Sequence, residues 1–568
     1  MSRSKSSSAL VVASTLAAIM AVPSVLRAQE TTAEIPSVTI RANTRLVLVD
    51  VVVTDKKGQP ITGLKAEDFT VEENGKKQKI ATFSPPGADQ KAPQPLPPGL
   101  LTNRPEYLKP AGVPTVLLLD AANSHFLDQA YGRGQMLKYV LEQSAGGTPM
   151  AVMTLTGRLQ VLQDFTSDPK ILATAIRKLQ PQEPILQSMT APAQTNVEPG
   201  LRSSSANVPV APSGQFAELV AISQAQVESF QNQAAGYALE NRTLITIQAM
   251  RDLARALGGL PGRKNVVWLT ADFPFDLIPE DTNKSDAEVL ADLPSMANVR
   301  NDSVNNAAGN ALSQQRALHN QQIREAQFAL ASAGIAVYPV DMRGIMASGI
   351  DVNTTSSLEE LAKQTGGKAY VNQNEIKNGI ALAVSDEKAS YTLAYYPENK
   401  KWDGKFRTIK VKVDQGDREI RYRKGYFAFD PTQVKNPNYE SDVAAAMEFH
   451  EPATQVSFMA QAKPAGPGKI RVVFLVDAHT LSAEDASGSK KMNVSLYASA
   501  YNSNGKNLGT RSIKVDRAFD AATYQQILDK GMMVPIDMDL PAGANQLRLA
   551  VLDNKTGFIG TATGASGQ

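Results

Sequence analysis

The sequence predicts an α/β protein: a mostly parallel, Rossmann-like sheet with helices on both faces, flanked by N-terminal and C-terminal β-sandwich modules. Three observations carry this. Between Thr115 and Pro397, short apolar runs alternate with helical patterns, the signature of a parallel sheet covered on both faces. From Thr39 to Ser84, and again from Gln455 to Thr561, strand-like runs follow one another with turn signals between them, as sandwiches do. Prolines crowd residues 85–114; fixed φ and missing donors make that an extended linker.

The elements follow in chain order. Arg3 and Lys5 precede an apolar run from Ala9 to Val22, then Pro23 and Ala28. This is the layout of a secretory signal covering 1–28, too short to span a bilayer, which takes roughly 20 apolar residues. Residues 39–84 form a small β module: LVLVDVVVTD is a buried strand, and Asn74-Gly75 marks a hairpin. Residues 115–398 form the α/β domain. Its strands are Thr115 to Leu119, Met150 to Gly157 with Arg158 to Phe165 returning as a hairpin, Asn265 to Thr270, Ile335 to Val340, and finally Ser390 to Pro397. Its helices include Leu127 to Ser144, one opening at Ser167 or Asp168 with Pro169 near its first turn, and Ser303 to Ala333. Residues 181–213 lack period and read as a mobile insertion. Residues 399–431 form a β-hairpin extension, Phe406 to Val413 against Arg418 to Arg423, and residues 455–561 form the C-terminal sandwich.

Composition removes several functions. There is no cysteine, so thiolate metal sites, disulfides and thiol nucleophiles are excluded. The four histidines are scattered, and HExxH, GxSxG and GxxxxGK[ST] are absent. A net charge of +2 gives no electrostatic case for nucleic acid or a polybasic membrane contact. Gly258-Gly259-Leu260-Pro261-Gly262-Arg263-Lys264 lies between a helix and a strand, the reverse of a phosphate-binding loop, and reads as a helix stop with a turn. Asp341 ends a strand and either lines a rim or caps its own loop.

One stretch carries chemistry. In VLLLDAANSHF, Asp120 ends an apolar strand and Ser124 follows before a helix begins. Ligands of open parallel sheets sit beyond such strand ends, and a carboxylate with hydroxyls suits Mg²⁺ at about 2.0–2.1 Å. The order of strand, DxxxS, helix, hairpin, insertion, helix and strand resembles a von Willebrand factor type A domain. The phrases VLVDVVVTDKKGQPITGLKAEDFTVEENGKKQ, TVLLLDAANS, PGRKNVVWLT, AGIAVYPVD, LEELAKQTGGKAY and YTLAYYPENKKWDGKFRTIKVKV are similar to the acidobacterial group of exported type A-related proteins.

That resemblance implies a metal-ion-dependent adhesion site built from D-x-S-x-S, a threonine and a later aspartate. Asp120 and Ser124 match the first and last motif positions, while Ala122 replaces the middle serine. Thr243 is the first choice for the threonine and Thr246 the second. Asp272 stands one residue beyond the usual aspartate position. The implied metal set is therefore Asp120, Ser124, Thr243 and Asp272 around Mg²⁺, with weak binding or none as the consequence of Ala122. Two readings stay open: a degenerate metal site, or a metal-free domain in which Asp120 and Ser124 cap a helix. The expected function is an exported, periplasmic or extracellular, non-enzymatic interaction or adhesion module. Its partner is a protein or surface polymer, with no nucleic acid and no integral membrane segment after signal removal. A structural envelope scaffold is the alternative. A metal-assisted hydrolase using Asp120 and Asp272 ranks below both, since no base with a supporting partner is evident.

Overall fold

The computed structural model describes residues 46–87, 94–108, 113–143, 147–182, 237–274, 321–343, 352–373, 375–414, 418–433, 439–486 and 488–566. The expected signal segment, nearly all of the 181–213 insertion and the first part of the Ser303 to Ala333 helix lie outside them.

Five strands form the central sheet: β1 (Thr115–Asp120), β2 (Met150–Leu155), β3 (Leu159–Thr166), β4 (Lys264–Thr270) and β5 (Ile335–Asp341). Their order is β5-β4-β1-β2-β3. All neighbours are parallel except β3, which returns on β2 as the sequence predicts. Tyr370 adds one parallel bridge outside β5, at Val340. Every residue of β1, β2, β4 and β5 is buried. Burying one such Leu or Val contributes about 1.5–3 kcal/mol, so central strands read as continuous apolar runs.

Alternation along the strands feeds two cores. Val116, Leu118, Val266 and Trp268 face one side, where they meet Met250 and Leu253 of α3 (237–257), Leu330 of α4 (321–332), and Leu358 and Leu361 of α5 (Val352–Thr365). Leu117, Leu119, Val267 and Leu269 face the other, against Met136 and Val140 of α1 (Phe126–Leu141), Leu172 and Ile176 of α2 (Pro169–Lys178), and Ile380 of α6 (Ile376–Ser385). The start of α2 shows how locally such elements are fixed. Asp168 accepts the Lys170 backbone N–H at 2.8 Å, Pro169 occupies the first turn, and Arg177 and Lys178 end the helix where its dipole favours cations.

The flanking strands depart from expectation. Ser390–Tyr395 does not close the central sheet. It pairs antiparallel with Val47–Thr54 and Ile80–Ser84, and Glu419–Arg421 pairs on the far edge of Val47–Thr54. Phe406–Val413 and Glu419–Arg421 likewise do not form one hairpin. Phe406–Val413 joins a second sheet with Phe69–Glu73, Lys76–Gln78 and Gly425–Phe427. The physical reason is a shared core. Val49, Val51, Phe69, Val71, Tyr391, Leu393, Tyr395, Ile409 and Val411 pack together in one core drawn from both ends of this span. The Asn74-Gly75 turn is as predicted, with φ of 47° and 78° joining Glu73 to Lys76.

Part of the expected linker is also a strand. Leu100–Thr102 pairs with Phe458–Gly466 at the edge of the sheet containing Lys469–Val476 and Met532–Asp539. Buried Asn103 donates to Ala453 O and Val456 O, both at 2.7 Å. A further sheet holds Glu484–Ala486, Ser489–Tyr501, Asn507–Phe519, Gln546–Asp553 and Ile559–Ala565, and its apolar face shares a core with the first.

Two seams join these parts. At one, Asp386 accepts both guanidinium arms of Arg421, at 2.5 and 2.6 Å, and the Tyr338 hydroxyl at 2.7 Å. Arg263 in turn donates to Tyr338 Oη at 2.8 Å. At the other, Thr454 meets the end of α3: Gly259 N–H donates to its Oγ1 at 2.8 Å. A Cβ on Gly259 would lie 2.0 Å from Thr454 O. The glycines of this loop thus serve close backbone approach. Lys264 is fully buried and donates to Leu260 O at 2.9 Å.

Inside the first β module, Glu73 and Arg407 form a buried ion pair at 3.3 Å, with the Tyr395 and Tyr426 hydroxyls each donating to Glu73 at 2.8 Å. Arg407→Ala leaves that carboxylate buried without its cation. A loss of about 3–5 kcal/mol is expected, read as an earlier module transition in denaturant melts.

Candidate functional site

Parity places the site. Leu118 pairs with Trp268 across β1 and β4, so Asp120 and Thr270, two residues further along each strand, point to the same face as α3. The sheet order reverses between β1 and β4, and their carboxyl ends open the crevice where such sheets hold ligands.

Asp120 is fully buried. Its Oδ1 accepts the Asn123 backbone N–H at 3.0 Å and the Asn123 side-chain amide at 3.2 Å. Its Oδ2 accepts the same amide at 2.9 Å and the Trp268 indole N–H at 2.9 Å. Thr270 Oγ1 lies 3.1 Å from Asp120 Oδ2 and 2.7 Å from Asp272 O. Burial pushes the Asp120 carboxyl above its ordinary range, against the pull of these donors.

The network continues outward through Asn123. Its amide N–H also donates to Thr246 Oγ1 at 2.9 Å, and its Oδ1 accepts Arg242 Nε–H at 3.0 Å. Arg242 Nη2 donates to Asp272 Oδ2 at 2.6 Å. Ser124 Oγ accepts the Ala271 N–H at 3.0 Å, tying the loop after β1 to the loop after β4.

Of the four residues expected as ligands, Asp120, Ser124 and Asp272 are brought into this neighbourhood. Thr243 is not: its hydroxyl donates to Leu239 O at 2.8 Å and lies 3.2 Å from Pro274 O. Thr246, the second choice, joins the network. The reason is helical geometry. Arg242 and Thr246 are four apart and share a face, whereas Thr243 is turned about 100° away. Asp341 caps its own loop through the backbone and guanidinium of Arg343.

The donor set does not fit a divalent cation as it is arranged. The Asn123 backbone N–H, the Asn123 amide and the Trp268 indole N–H already donate to the Asp120 carboxylate, and the Thr270 hydroxyl lies beside it. The indole N–H is donor-only, so it cannot turn a lone pair toward a metal. Among the described residues no group of three or more His, Asp or Glu side chains is placed to hold a metal ion. Asn123, Arg242, Trp268 and Thr270 escaped the sequence reading. Strand alternation from Asp120 would have indicated Trp268 and Thr270, but nothing in the sequence pairs Asn123 with Arg242.

No family model matches the chain, and no curated protein matches it. It is similar to solved structures that include von Willebrand type A domains. One is an aerotolerance-related membrane protein from Bacteroides fragilis, at 12% identity and TM-score 0.23, covering 49% of this chain and 100% of that one. Another is the von Willebrand domain of a type V pilus tip protein from Porphyromonas gingivalis, at 12% identity and TM-score 0.22, covering 49% and 94%. A third is a von Willebrand factor type A protein from Catenulispora acidiphila, at 9% identity and TM-score 0.22, covering 91% and 74%. Similarity at this level is no guide to ligand or partner. The sheet order and the buried aspartate at its crevice stand on their own geometry.

A carboxyl whose folded pKa is raised adds stability below the unfolded pKa and loses it as pH rises through the folded pKa. Wild type is therefore expected to gain stability relative to Asp120→Asn as pH falls from neutral toward the ordinary carboxylate range. Denaturant melts at graded pH, followed by tryptophan emission, check this. Parallel pH profiles for the two chains would show that Asp120 is not the titrating group.

Proposed function

We propose that this chain is an exported, non-enzymatic interaction module that engages a protein or surface polymer through the carboxyl-end rim of its central sheet. The flanking sheet pairs are, on this reading, β-sandwich spacers.

The observation that carries it is the composition of the rim. Among the described residues, polar groups within the crevice satisfy one another, and no nucleophile faces a supported base. Large apolar side chains instead stand exposed around the closed network. Phe126 (42% exposed) and Leu127 (78%) open α1 within about a turn of Asn123. Tyr237 (67%) and Leu239 (50%) precede Arg242 on α3 by little more than a turn. The Arg242–Asn123 hydrogen bond links α3 to the loop that leads into α1. Exposed apolar side chains beside a charged pair are the makings of a protein contact surface. No described helix is long and apolar enough to cross a membrane.

Cross-linking of the full chain to its native envelope tests the proposal. Leu127→Asp combined with Tyr237→Ala is expected to abolish the cross-linked species while leaving the melting temperature unchanged. An identical cross-linking pattern in variant and wild type would favour the envelope-scaffold reading.

A further inference from the structure

We propose that Arg242 is the resident cation of this rim, so the site assembles and holds its shape without a divalent metal. The inference concerns how the site is built and does not depend on the partner proposed above.

Three chain segments must converge at the crevice: the loop after β1, α3 around Arg242 and the loop after β4. Arg242 joins all three. It lies on α3, its Nε–H reaches Asn123 on the first loop at 3.0 Å, and its Nη2–H reaches Asp272 on the third at 2.6 Å. A guanidinium is permanently charged and planar, with N–H groups that diverge in fixed directions, so one side chain can bind two loops at once. Its own side chain is only 13% exposed, which reduces screening of the pair by solvent.

Asn123 completes the substitution at the inner end. It presents amide N–H to both oxygens of Asp120 and accepts from Arg242 with its carbonyl oxygen. The amide thus relays the guanidinium to a carboxylate that the arginine does not itself touch. Ala122, which lacks the expected oxygen, is buried and packs in the apolar cluster under α3. A methyl group there suits a site closed by hydrogen bonds. The Trp268 indole N–H on Asp120 Oδ2 directs its positive hydrogen toward that carboxylate, an orientation an adjacent divalent ion would oppose.

The test uses the full chain, with Mn²⁺ and Mg²⁺ alone as probes. Calorimetric titration of wild type is expected to give no heat from the rim, and melting midpoints in EDTA and in excess Mg²⁺ should coincide. Arg242→Ala should melt earlier than wild type in EDTA. Arg242→Lys, which keeps the charge but loses the divergent N–H pair, should recover only part of the loss. Mn²⁺ heat that disappears in Asp120→Ala would overturn the proposal. So would an Arg242→Ala midpoint equal to wild type. If Arg242→Ala does not fold, the wild-type titration and the Arg242→Lys midpoint decide.

Discussion

A carboxylate with no solvent contact must be satisfied by protein, and Asp120 imposes that constraint on everything around it. An unpaired buried charge costs several kcal/mol, so the loop after β1 turns back to place Asn123 against it. The indole of Trp268 is held edge-on by the same demand, and Thr270 is drawn to it from the end of β4. Thr246 and Arg242 then follow because Asn123 has groups of its own to satisfy. The crevice is ordered from its floor outward, with each layer fixed by the one beneath.

The same economy appears inside the first β module, where Glu73 is buried with Arg407 and two tyrosine hydroxyls. It appears again at one seam, where Asp386 meets Arg421 and Tyr338. Each carboxylate joins strands distant in sequence. Hydrophobic burial alone is non-directional, whereas these pairs accept few geometries. The Glu73 pair therefore specifies which strand neighbours which within its module, and the Asp386 pair ties that module to Tyr338 of the central sheet.

Much of this was legible in the sequence because it is written locally. The buried runs TVLLLD and KNVVWLT, the Asp168-Pro169 helix start and the Asn74-Gly75 turn each depend on a few adjacent residues. The placement of Ser390–Tyr395 does not. Its apolar pattern suits either the central sheet or a neighbouring one, and only the register with Val47–Thr54 decides. Leu100–Thr102 was hidden by surrounding prolines. At the crevice, Asp120 and Ser124 were legible from their position at a strand end. Thr243 was misplaced because a single helix phase separates it from Thr246. Arg242 was missed because a side chain that replaces a ligand set leaves no motif.

The pairing of Val47–Thr54 with Ser390–Tyr395 has a consequence for how the chain is made. Asp50 and Thr392, bonded side by side, are separated by 342 positions. The central sheet closes on residues between them, so it can form as soon as its own helices are synthesised. Val47–Thr54 must wait for Ser390–Tyr395 to come back to it, whereas Phe69–Glu73 already has Lys76–Gln78 beside it. Contacts of such sequence separation form slowly and leave edges exposed meanwhile. Closure of this sheet is thus a long-range event, set by the return of Ser390–Tyr395 to Val47–Thr54 rather than by any local turn.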